Sequence, residues 1–438
     1  FPMRYSKTKT DRSAQRTGSH RYSTTAFQSD GFIDTRHTIR ANLRERQRME
    51  AVFGPEVIRL ARRFHWCAFL PGLLSGVHVQ GLDCLPLAHE SAPILAFAHK
   101  KLLDVLVIIE ILAGRPLDRF HNITIIGQAG LFNGIYAYRD LIPNALKTPR
   151  TAPALAAVSS RAARTLERWF RLVNAHPVYR EGKDVPDTES AYVDPHFGGA
   201  YILGKDFSDF KKFAARETRD TIIQVLNHMN ADGLNRSLIL LPEGGYGHDG
   251  SIKELHEFVA LAAHRKQKPT YTITITYDEL CPDRLGRIAS YVRICKPALP
   301  PTERTPDSTR FFLNQLRNSL VHETVIVPSH ALAAGVRYFR NRRQTFGWND
   351  FMKRLYLTRD RLLQSGQPAA PTLSRDDMFK KHVSRFRSTY GARWLRRGRG
   401  GLICHEPSIG RYNRSERSVD DVEWNYNHVR HIPDLMTD

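Results

Sequence analysis

The stretch PILAFAHKKLLDVLVIIEILA, residues 93–113, places two reactive side chains between a strand and a helix. Its apolar start, residues 93–98, is typical of a buried strand, and residues 104–113 predict a helix with Asp104 as an acidic cap. His99 and Asp104 are five positions apart, a step that turns about 140° on a regular helix, so their side chains meet only if the chain bends. In such a bend the carboxylate holds one imidazole nitrogen while the other nitrogen accepts a proton. Taken alone, the pair is more simply explained as a strand-end histidine beside a helix cap.

Strands and helices alternate on both sides of this stretch. The sequence predicts further strands at 77–80, 123–126, 135–138, 238–241 and 270–277, helices at 152–173, 207–229 and 252–265, and a polar loop at 177–204. Such alternation is characteristic of an α/β domain with a mixed or largely parallel sheet. Functional side chains are then expected in the loops at one edge of that sheet.

Two other stretches carry groups suited to ligand binding. LPEGGYGHDG, residues 241–250, follows a predicted strand, and its glycines allow positive φ and close backbone approach to a ligand. GIYAYR, residues 134–139, ends in Arg139, whose guanidinium can bind a phosphate with two parallel hydrogen bonds. Alone, each stretch is equally an ordinary glycine-rich turn or a solvated arginine.

Taken in order, these segments resemble the four sequence blocks of the glycerolipid acyltransferase superfamily. His99 and Asp104 match its His-x4-Asp block, residues 134–139 resemble the second block, and Pro242-Glu243-Gly244 matches the core of the third. The fourth block, TITYD at 274–278, is similar to that of the branch acting on glycerol 3-phosphate or dihydroxyacetone phosphate. That branch also favours the second glycine found here as Gly245. Residues 327–332 and 424–431 resemble its helical C-terminal region.

The resemblance implies an α/β fold with a central mixed sheet flanked by helices, and a reaction that needs no metal or other cofactor. The reaction is acyl transfer in phospholipid synthesis, from acyl-CoA or an acyl-carrier protein as co-substrate to an acceptor hydroxyl. His99 would be the general base and Asp104 would orient it. The residues implied in binding the phosphorylated acceptor are Lys100, Lys101, Arg139, Glu243, Gly244, Gly245 and His248.

The third block departs from the family pattern, which continues Glu-Gly-x-Arg-Ser and uses the arginine to hold the acceptor phosphate. Tyr246 and Gly247 occupy those positions here, and the next basic residue is His248. Glycerol 3-phosphate or a related acceptor is therefore the leading prediction. The alternative is the same chemistry on a lysophospholipid or on another alcohol or amine.

Composition limits the other classes of function. Among 438 residues, 41% are hydrophobic, which excludes wholesale disorder, and the five cysteines are too widely spaced to indicate a disulfide or zinc scaffold. Apolar runs at 66–79 and 94–113 are interrupted by histidine or lysine, so a spanning helix is not expected. The fold is predicted as an α/β acyltransferase domain at 76–325 with basic helical extensions: a flexible tail at 1–37, amphipathic helices at 38–75 and a helical region at 326–438.

The net charge of +21 lies mostly in residues 1–70 and 326–438 rather than in the middle of the chain. This distribution predicts docking to an anionic membrane surface, as a peripheral protein on its cytoplasmic face, or to an acidic acyl donor. A non-enzymatic nucleic-acid-binding protein is the remaining alternative, supported by charge alone because no recognised nucleic-acid-binding motif is present. Specific nucleic-acid binding is therefore not expected.

Overall fold

The structure is a computed structural model, and its description covers the following parts of the chain. They are residues 33–34, 74–87, 90, 92–101, 103–113, 122–129, 151, 154, 174–180, 184–193, 206–229, 236–244, 249–342, 345–389, 395–398, 401–404 and 419–437. Residues 1–32 and 35–73 lie outside them, and with them most of the predicted tail and amphipathic helices. The same holds for the predicted strand at 135–138 and nearly all of the predicted helix at 152–173. Residues 33–34 of the predicted flexible tail instead form a short strand.

An eight-stranded sheet forms the centre of the part that is described. Its strands are β1 (Ile33–Asp34), β2 (Leu74–Gln80), β3 (Ile94–Phe97), β4 (Asn122–Gln128), β5 (Ala175–Val178), β6 (Arg236–Leu240), β7 (Thr270–Tyr277) and β8 (Ile288–Ile294). The strand order is β1-β2-β8-β7-β3-β6-β4-β5. β3, β4, β5, β6 and β7 run parallel, whereas β8 is antiparallel to β7 and parallel to β2. The predicted mixed, largely parallel sheet is therefore present.

This topology decides where the functional residues lie. Carboxyl ends of parallel strands meet at one edge of a sheet. His99 follows β3, Glu243 follows β6 and Asp278 follows β7, and β3 pairs directly with both of the other strands. The loops after these three strands therefore share one edge of the sheet.

Helices cover both faces of the sheet, so its central strands are buried on both sides. The helices are α1 (Leu103–Ala113), α2 (Glu189–Val193), α3 (Phe207–His228), α4 (Phe258–Lys266), α5 (Pro306–His322), α6 (Pro328–Arg342), α7 (Trp348–Gln364), α8 (Pro371–Ser374), α9 (Asp376–Thr389) and α10 (Asp421–Asn427). Ile94 and Ala96 pack with residues of α3, α4 and α5, whereas Leu95 and Phe97 pack with α1 on the other face. All eight residues of β7 are buried, as expected for a strand covered on both sides.

The C-terminal helices build a second hydrophobic core. It contains Leu332 of α6, Phe351 of α7, Phe379 of α9 and Tyr426 of α10. The helical character predicted for this region is present, but residues 395–404 form a hairpin of β9 (Leu395–Gly398) and β10 (Gly401–Cys404). The prediction of helix over its arginines was wrong, because the glycines at 398 and 401 favour a tight turn.

Other differences from the sequence prediction have local causes. The polar stretch at 177–204 was predicted as a loop, but it includes the end of β5 and α2, and β8 was not predicted. The helix predicted from 252 begins only at Phe258. The backbone just before Phe258 instead forms hydrogen bonds with the third block. Lys253 N–H donates to Glu243 Oε2 at 3.0 Å, and His256 N–H donates to the Pro242 carbonyl at 2.8 Å. Within the described ranges, no helix has the length and apolar character needed to cross a bilayer.

A buried polar cluster connects the end of β7 to the C-terminal helices. Asp278 Oδ1 accepts the Ser329 hydroxyl at 2.5 Å and the Ser329 N–H at 3.0 Å. Its Oδ2 has no hydrogen bond and lies 3.7 Å from His382 Nε2. His382 Nδ1 lies 2.8 Å from the Met378 carbonyl and donates to it. Burial raises the pKa of Asp278, although His382 and the Ser329 hydrogen bonds act to lower it.

Asp278→Asn is expected to raise the Tm above about pH 4, with a gain that grows toward neutral pH. A carboxyl group whose pKa is raised by folding stabilises the protein below its unfolded pKa of about 3.9, and that contribution is lost as the pH rises through the folded pKa. The side-chain carbonyl of the asparagine can keep both Ser329 bonds. Thermal unfolding from pH 4 to pH 8 measures the difference.

Asp283→Asn is the matched control for this prediction. Burial acts to raise the pKa of Asp283, but hydrogen bonds from Arg287 and Leu285 lower it overall. That substitution should therefore destabilise the protein above about pH 4. A lower Tm for Asp278→Asn than for the wild-type protein at pH 8 would contradict the interpretation that the buried, ionised Asp278 carboxylate destabilises the fold.

Candidate active site

His99 and Asp104 meet at the carboxyl end of β3. His99 Nδ1 lies 3.1 Å from Asp104 Oδ2, and both side chains are almost fully buried. The bend that brings them together is held by the same carboxylate oxygen, which accepts the N–H groups of Lys100 at 2.6 Å and Lys101 at 2.8 Å. α1 begins at Leu103, so Asp104 acts from its first turn rather than as the cap that was predicted. With Asp104 ionised, Nδ1 carries the imidazole proton and Nε2 carries the lone pair.

Tyr277 is a site residue that sequence reasoning did not identify. It is the last residue of β7 and is fully buried, and its hydroxyl donates to Asp104 Oδ1 at 2.5 Å. Because β3 and β7 are parallel neighbours, the end of β7 is next to His99. The fourth block therefore contributes the hydrogen bond from Tyr277 that holds the Asp104 carboxylate in place. The motif itself does not show that β7 pairs with β3, and this pairing is needed to infer the bond.

Glu243 joins the third block to the first. Its Oε1 accepts the His99 N–H at 2.9 Å and its Oε2 accepts the Lys253 N–H at 3.0 Å. Burial raises the pKa of Glu243, although these hydrogen bonds and the nearby charges of His99 and Lys100 act to lower it. Gly244 has φ +62°, and a Cβ there would lie 2.3 Å from His256 Nε2. Glu243 thus positions the His99 backbone, and the close approach of His256 leaves no room for a side chain at Gly244.

The two lysines after His99 have different surroundings. Lys101 forms an ion pair with Glu279, and its ammonium lies 4.2 Å from the centroid of the Tyr277 ring. Lys100 is 2% exposed, and burial lowers its pKa to about 8, although Glu243 and Asp104 act to raise it. The charge of Lys101 is therefore compensated within the protein, whereas that of Lys100 is not paired among the described residues.

Three of the predicted binding residues lie outside the part of the chain that is described: Arg139, Gly245 and His248. The same holds for Tyr246 and Gly247, so the sequence assignments of the second block and of the middle of the third stay predictions. Across the described ranges, no three His, Cys, Asp or Glu side chains are grouped in a way that could hold a metal ion.

The C-terminal segment, residues 419–437, packs against the loop after the third block. Asn427 Nδ2 donates to the Asp249 carbonyl at 2.9 Å. Gly250 has φ +85°, and a Cβ there would lie only 2.5 Å from the Trp424 carbonyl oxygen. The Lys101 ammonium lies 5.5 Å from the centroid of the Trp424 ring. In the sequence, residues 424–431 stood out only for their resemblance to the C-terminal region of the acyltransferase branch. In the structure, this stretch lies beside the loop after β3 that contains His99 and Lys101.

Gly250→Ala is expected to displace the C-terminal segment and to lower both the Tm and the activity. A non-glycine residue at positive φ costs about 1–2 kcal/mol, and the clash with the Trp424 backbone adds to this cost. Trp424 is fully buried, so its fluorescence should shift as the segment loosens. Gly366→Ala is the matched control, because Gly366 has φ +75° but nothing within 4 Å of an added Cβ. Equal effects of the two substitutions would show that strain, not the contact, is responsible.

Comparison with known proteins gives a limited result. No family model matches the chain, and no curated protein matches it. Among solved structures, the chain is similar to the crystal structure of the 1-acyl-sn-glycerophosphate (LPA) acyltransferase PlsC from Thermotoga maritima. The match has 16% sequence identity and a TM-score of 0.32, and it covers 65% of this chain and 86% of that chain. The solved structure is thus that of an acyltransferase, but at this similarity the function of the present chain has to be argued from its own site.

Proposed function

We propose that this protein transfers an acyl chain from an acyl thioester to the hydroxyl of glycerol 3-phosphate or a related acceptor. The observation that carries the proposal is the buried His99–Asp104 pair, with its 3.1 Å contact, at the carboxyl edge of the sheet. The pair is fixed from two further strands, by Tyr277 at the end of β7 and by Glu243 after β6. A histidine oriented in this way is suited to act as a general base.

The proposed reaction begins when His99 Nε2 removes the proton of the acceptor hydroxyl as its oxygen attacks the thioester carbonyl. A carbon–oxygen bond forms, and the carbonyl becomes a tetrahedral oxyanion. Its collapse breaks the carbon–sulfur bond, and the departing thiolate takes the proton from the His99 imidazolium. Asp104 stabilises that imidazolium, and three additional hydrogen-bond donors, two of them backbone N–H groups, hold its carboxylate in place.

Glycerol 3-phosphate is proposed as the acceptor because the ordered sequence blocks resemble the branch that acts on it. Lys100, Lys101, Arg139, Glu243, Gly244, Gly245 and His248 are the proposed acceptor-binding residues. Of the two lysines, Lys100 has the charge better placed for a phosphate, since Lys101 is paired with Glu279. The altered third block, with Tyr246 and Gly247, favours a second candidate with the same chemistry on a lysophospholipid or another alcohol or amine.

The proposed donor is acyl-CoA or an acyl-carrier protein, and no other cofactor is needed for this chemistry. The positive surplus near the two ends of the sequence supports binding to an anionic membrane surface on its cytoplasmic side. Co-sedimentation with anionic vesicles at physiological salt, beside a gel shift with DNA and RNA, tests this surface. Specific nucleic-acid binding without vesicle binding would contradict it.

An acceptor panel tests the proposed function. Purified protein is incubated with each donor and with glycerol 3-phosphate, dihydroxyacetone phosphate, lysophosphatidic acid and glycerol, and the acylated products are measured. Transfer to a phosphorylated three-carbon acceptor supports the leading proposal, and preference for lysophosphatidic acid supports the second candidate. Absence of transfer from either donor to any of these acceptors, with folded protein, would overturn both.

A further inference from the structure

Lys101 connects the loop after β3 to the loop after β7. Its backbone N–H donates to Asp104 Oδ2 at 2.8 Å, and its ammonium forms an ion pair with Glu279, two residues beyond the end of β7. The side chains of the pair are only 9% and 11% exposed. Buried charges in proteins are paired or bound to a ligand, and Glu279 already supplies the counter-charge here. Lys101 therefore needs no phosphate to compensate its charge.

The ammonium of Lys101 also lies over two aromatic rings. Its Nζ is 4.2 Å from the centroid of the Tyr277 ring and 5.5 Å from the centroid of the Trp424 ring. Both aromatic residues are fully buried. A cation within about 6 Å of a ring centroid is attracted to the face of the ring, and the attraction is stronger when the pair is removed from water. The cation therefore restricts the orientation in which the Tyr277 ring presents its hydroxyl.

The Tyr277 hydroxyl is one of the groups that hold Asp104. It donates to Asp104 Oδ1 at 2.5 Å. The other oxygen, Oδ2, accepts the Lys101 N–H and lies 3.1 Å from His99 Nδ1. Lys101 thus acts on both oxygens of one carboxylate, through its backbone on Oδ2 and through the Tyr277 ring on Oδ1. Because the backbone contact is kept when the side chain is replaced, the contribution of the ammonium can be measured separately.

We propose that Lys101 is a positioning residue, whose ammonium holds the Tyr277 hydroxyl on the Asp104 carboxylate. Through that carboxylate it keeps the His99 imidazole oriented toward the acceptor hydroxyl. Trp424 gives the C-terminal segment a part in this arrangement, because its ring lies on the same ammonium. The role differs from the acceptor contact proposed above for Lys101, and its expected effect on kcat rests on the proposed function.

Lys101→Met is expected to lower kcat by about 10–10²-fold, the size of effect that a small displacement of a catalytic group produces. The KM for glycerol 3-phosphate should change by less than about twofold, because the lost contact acts in the transition state and not in acceptor binding. Lys101→Arg should restore most of kcat, since a guanidinium keeps the charge and also stacks on aromatic faces. Initial rates at varied acceptor concentration measure these values.

A second substitution keeps the fold of the variants comparable. Lys101→Met alone takes the ion-pair partner away from the buried Glu279 carboxylate, whereas Lys101→Met combined with Glu279→Gln removes both charges. The combined variant should keep nearly the wild-type Tm and show the same loss of kcat. Lys380→Met is the matched control, since Lys380 pairs with Asp376 on α9 and both side chains are more than half exposed. It should leave kcat unchanged.

A double-mutant cycle tests whether Lys101 acts through Tyr277. Tyr277→Phe removes the hydroxyl but keeps the ring that lies under the ammonium. In that background Lys101→Met should lower kcat by less than about twofold, because the hydrogen bond that it supports is already absent. Losses of kcat that simply multiply would overturn the proposal.

The proton NMR spectrum gives a readout that does not depend on catalysis. The Nδ1 proton of His99 lies in a buried contact with the Asp104 carboxylate, so it should give a low-field signal that His99→Ala abolishes. Lys101→Met should shift or broaden this signal, and Lys380→Met should not. Such a change in a protein that transfers no acyl chain would support the positioning role and remove the proposed function. An unchanged signal, or a higher KM for glycerol 3-phosphate at unchanged kcat, would overturn the positioning role even where acyl transfer is observed.

Discussion

His99→Ala is expected to lower kcat for acyl transfer by about 10²–10⁴-fold, the contribution usual for a general base. The side chain lies in a buried position with its Nδ1 on Asp104, so its removal leaves no group at Nε2 to accept the hydroxyl proton. The fold should survive, because Glu243 binds the backbone N–H of residue 99 rather than its ring. Initial rates and thermal unfolding of the same samples measure both expectations.

His264→Ala provides the control for that substitution. His264 lies near the end of α4, with its ring against the Thr302 carbonyl and away from the His99 loop. Its replacement should leave kcat unchanged. Full activity of His99→Ala, with the control also active, would contradict the proposed mechanism and leave His99 as a buried strand-end residue.

Asp104→Asn is expected to lower kcat by about 10⁴-fold with only a small change in Tm. Asparagine is nearly isosteric, and its carbonyl oxygen can still accept the N–H groups of Lys100 and Lys101. Its amide can face the Tyr277 hydroxyl, which is able to act as an acceptor. What is lost is the negative charge that stabilises the His99 imidazolium, so the effect should appear in kcat rather than in stability.

Asp184→Asn is a matched control for a buried carboxylate with a structural role. Asp184 is 1% exposed and accepts the Arg180 N–H, four residues before it, at 3.1 Å, which repeats the relation of Asp104 to Lys100. Its substitution should affect Tm and leave kcat nearly unchanged. Similar kcat values for Asp104→Asn and the wild-type protein would show that Asp104 only holds the bend before α1.

The sequence predicted the parts of the fold that local patterns determine. β3 and β7 are continuous apolar or β-branched runs. α3 begins at Phe207 and is capped by Asp206, whose side chain accepts the Asp209 N–H. The sequence predicted helix over the arginine-rich stretch before residue 400. The structure instead has β9 paired with β10, with two glycines facing each other where the strands meet. The delayed start of α4 follows from tertiary hydrogen bonds to the third block, which no local pattern reveals.

In the candidate site, too, local features could be predicted from the sequence, whereas contacts between distant residues could not. The contact of His99 with Asp104 was predicted from their match to the His-x4-Asp block, and it forms within one bend of the chain. Tyr277 could be identified only with the knowledge that β7 lies beside β3. Contacts between residues far apart in sequence depend on strand order and helix packing, and one sequence does not contain that information in readable form.

The most direct test of the central proposal is the stoichiometry of thiol release and ester formation by the purified protein. With an acyl thioester and glycerol 3-phosphate, we expect one free thiol and one acylated acceptor per turnover, and both should be lost together in His99→Ala. Thiol release without acylated acceptor, or equal ester formation by the His99→Ala protein, would contradict acyl transfer by a His99–Asp104 base.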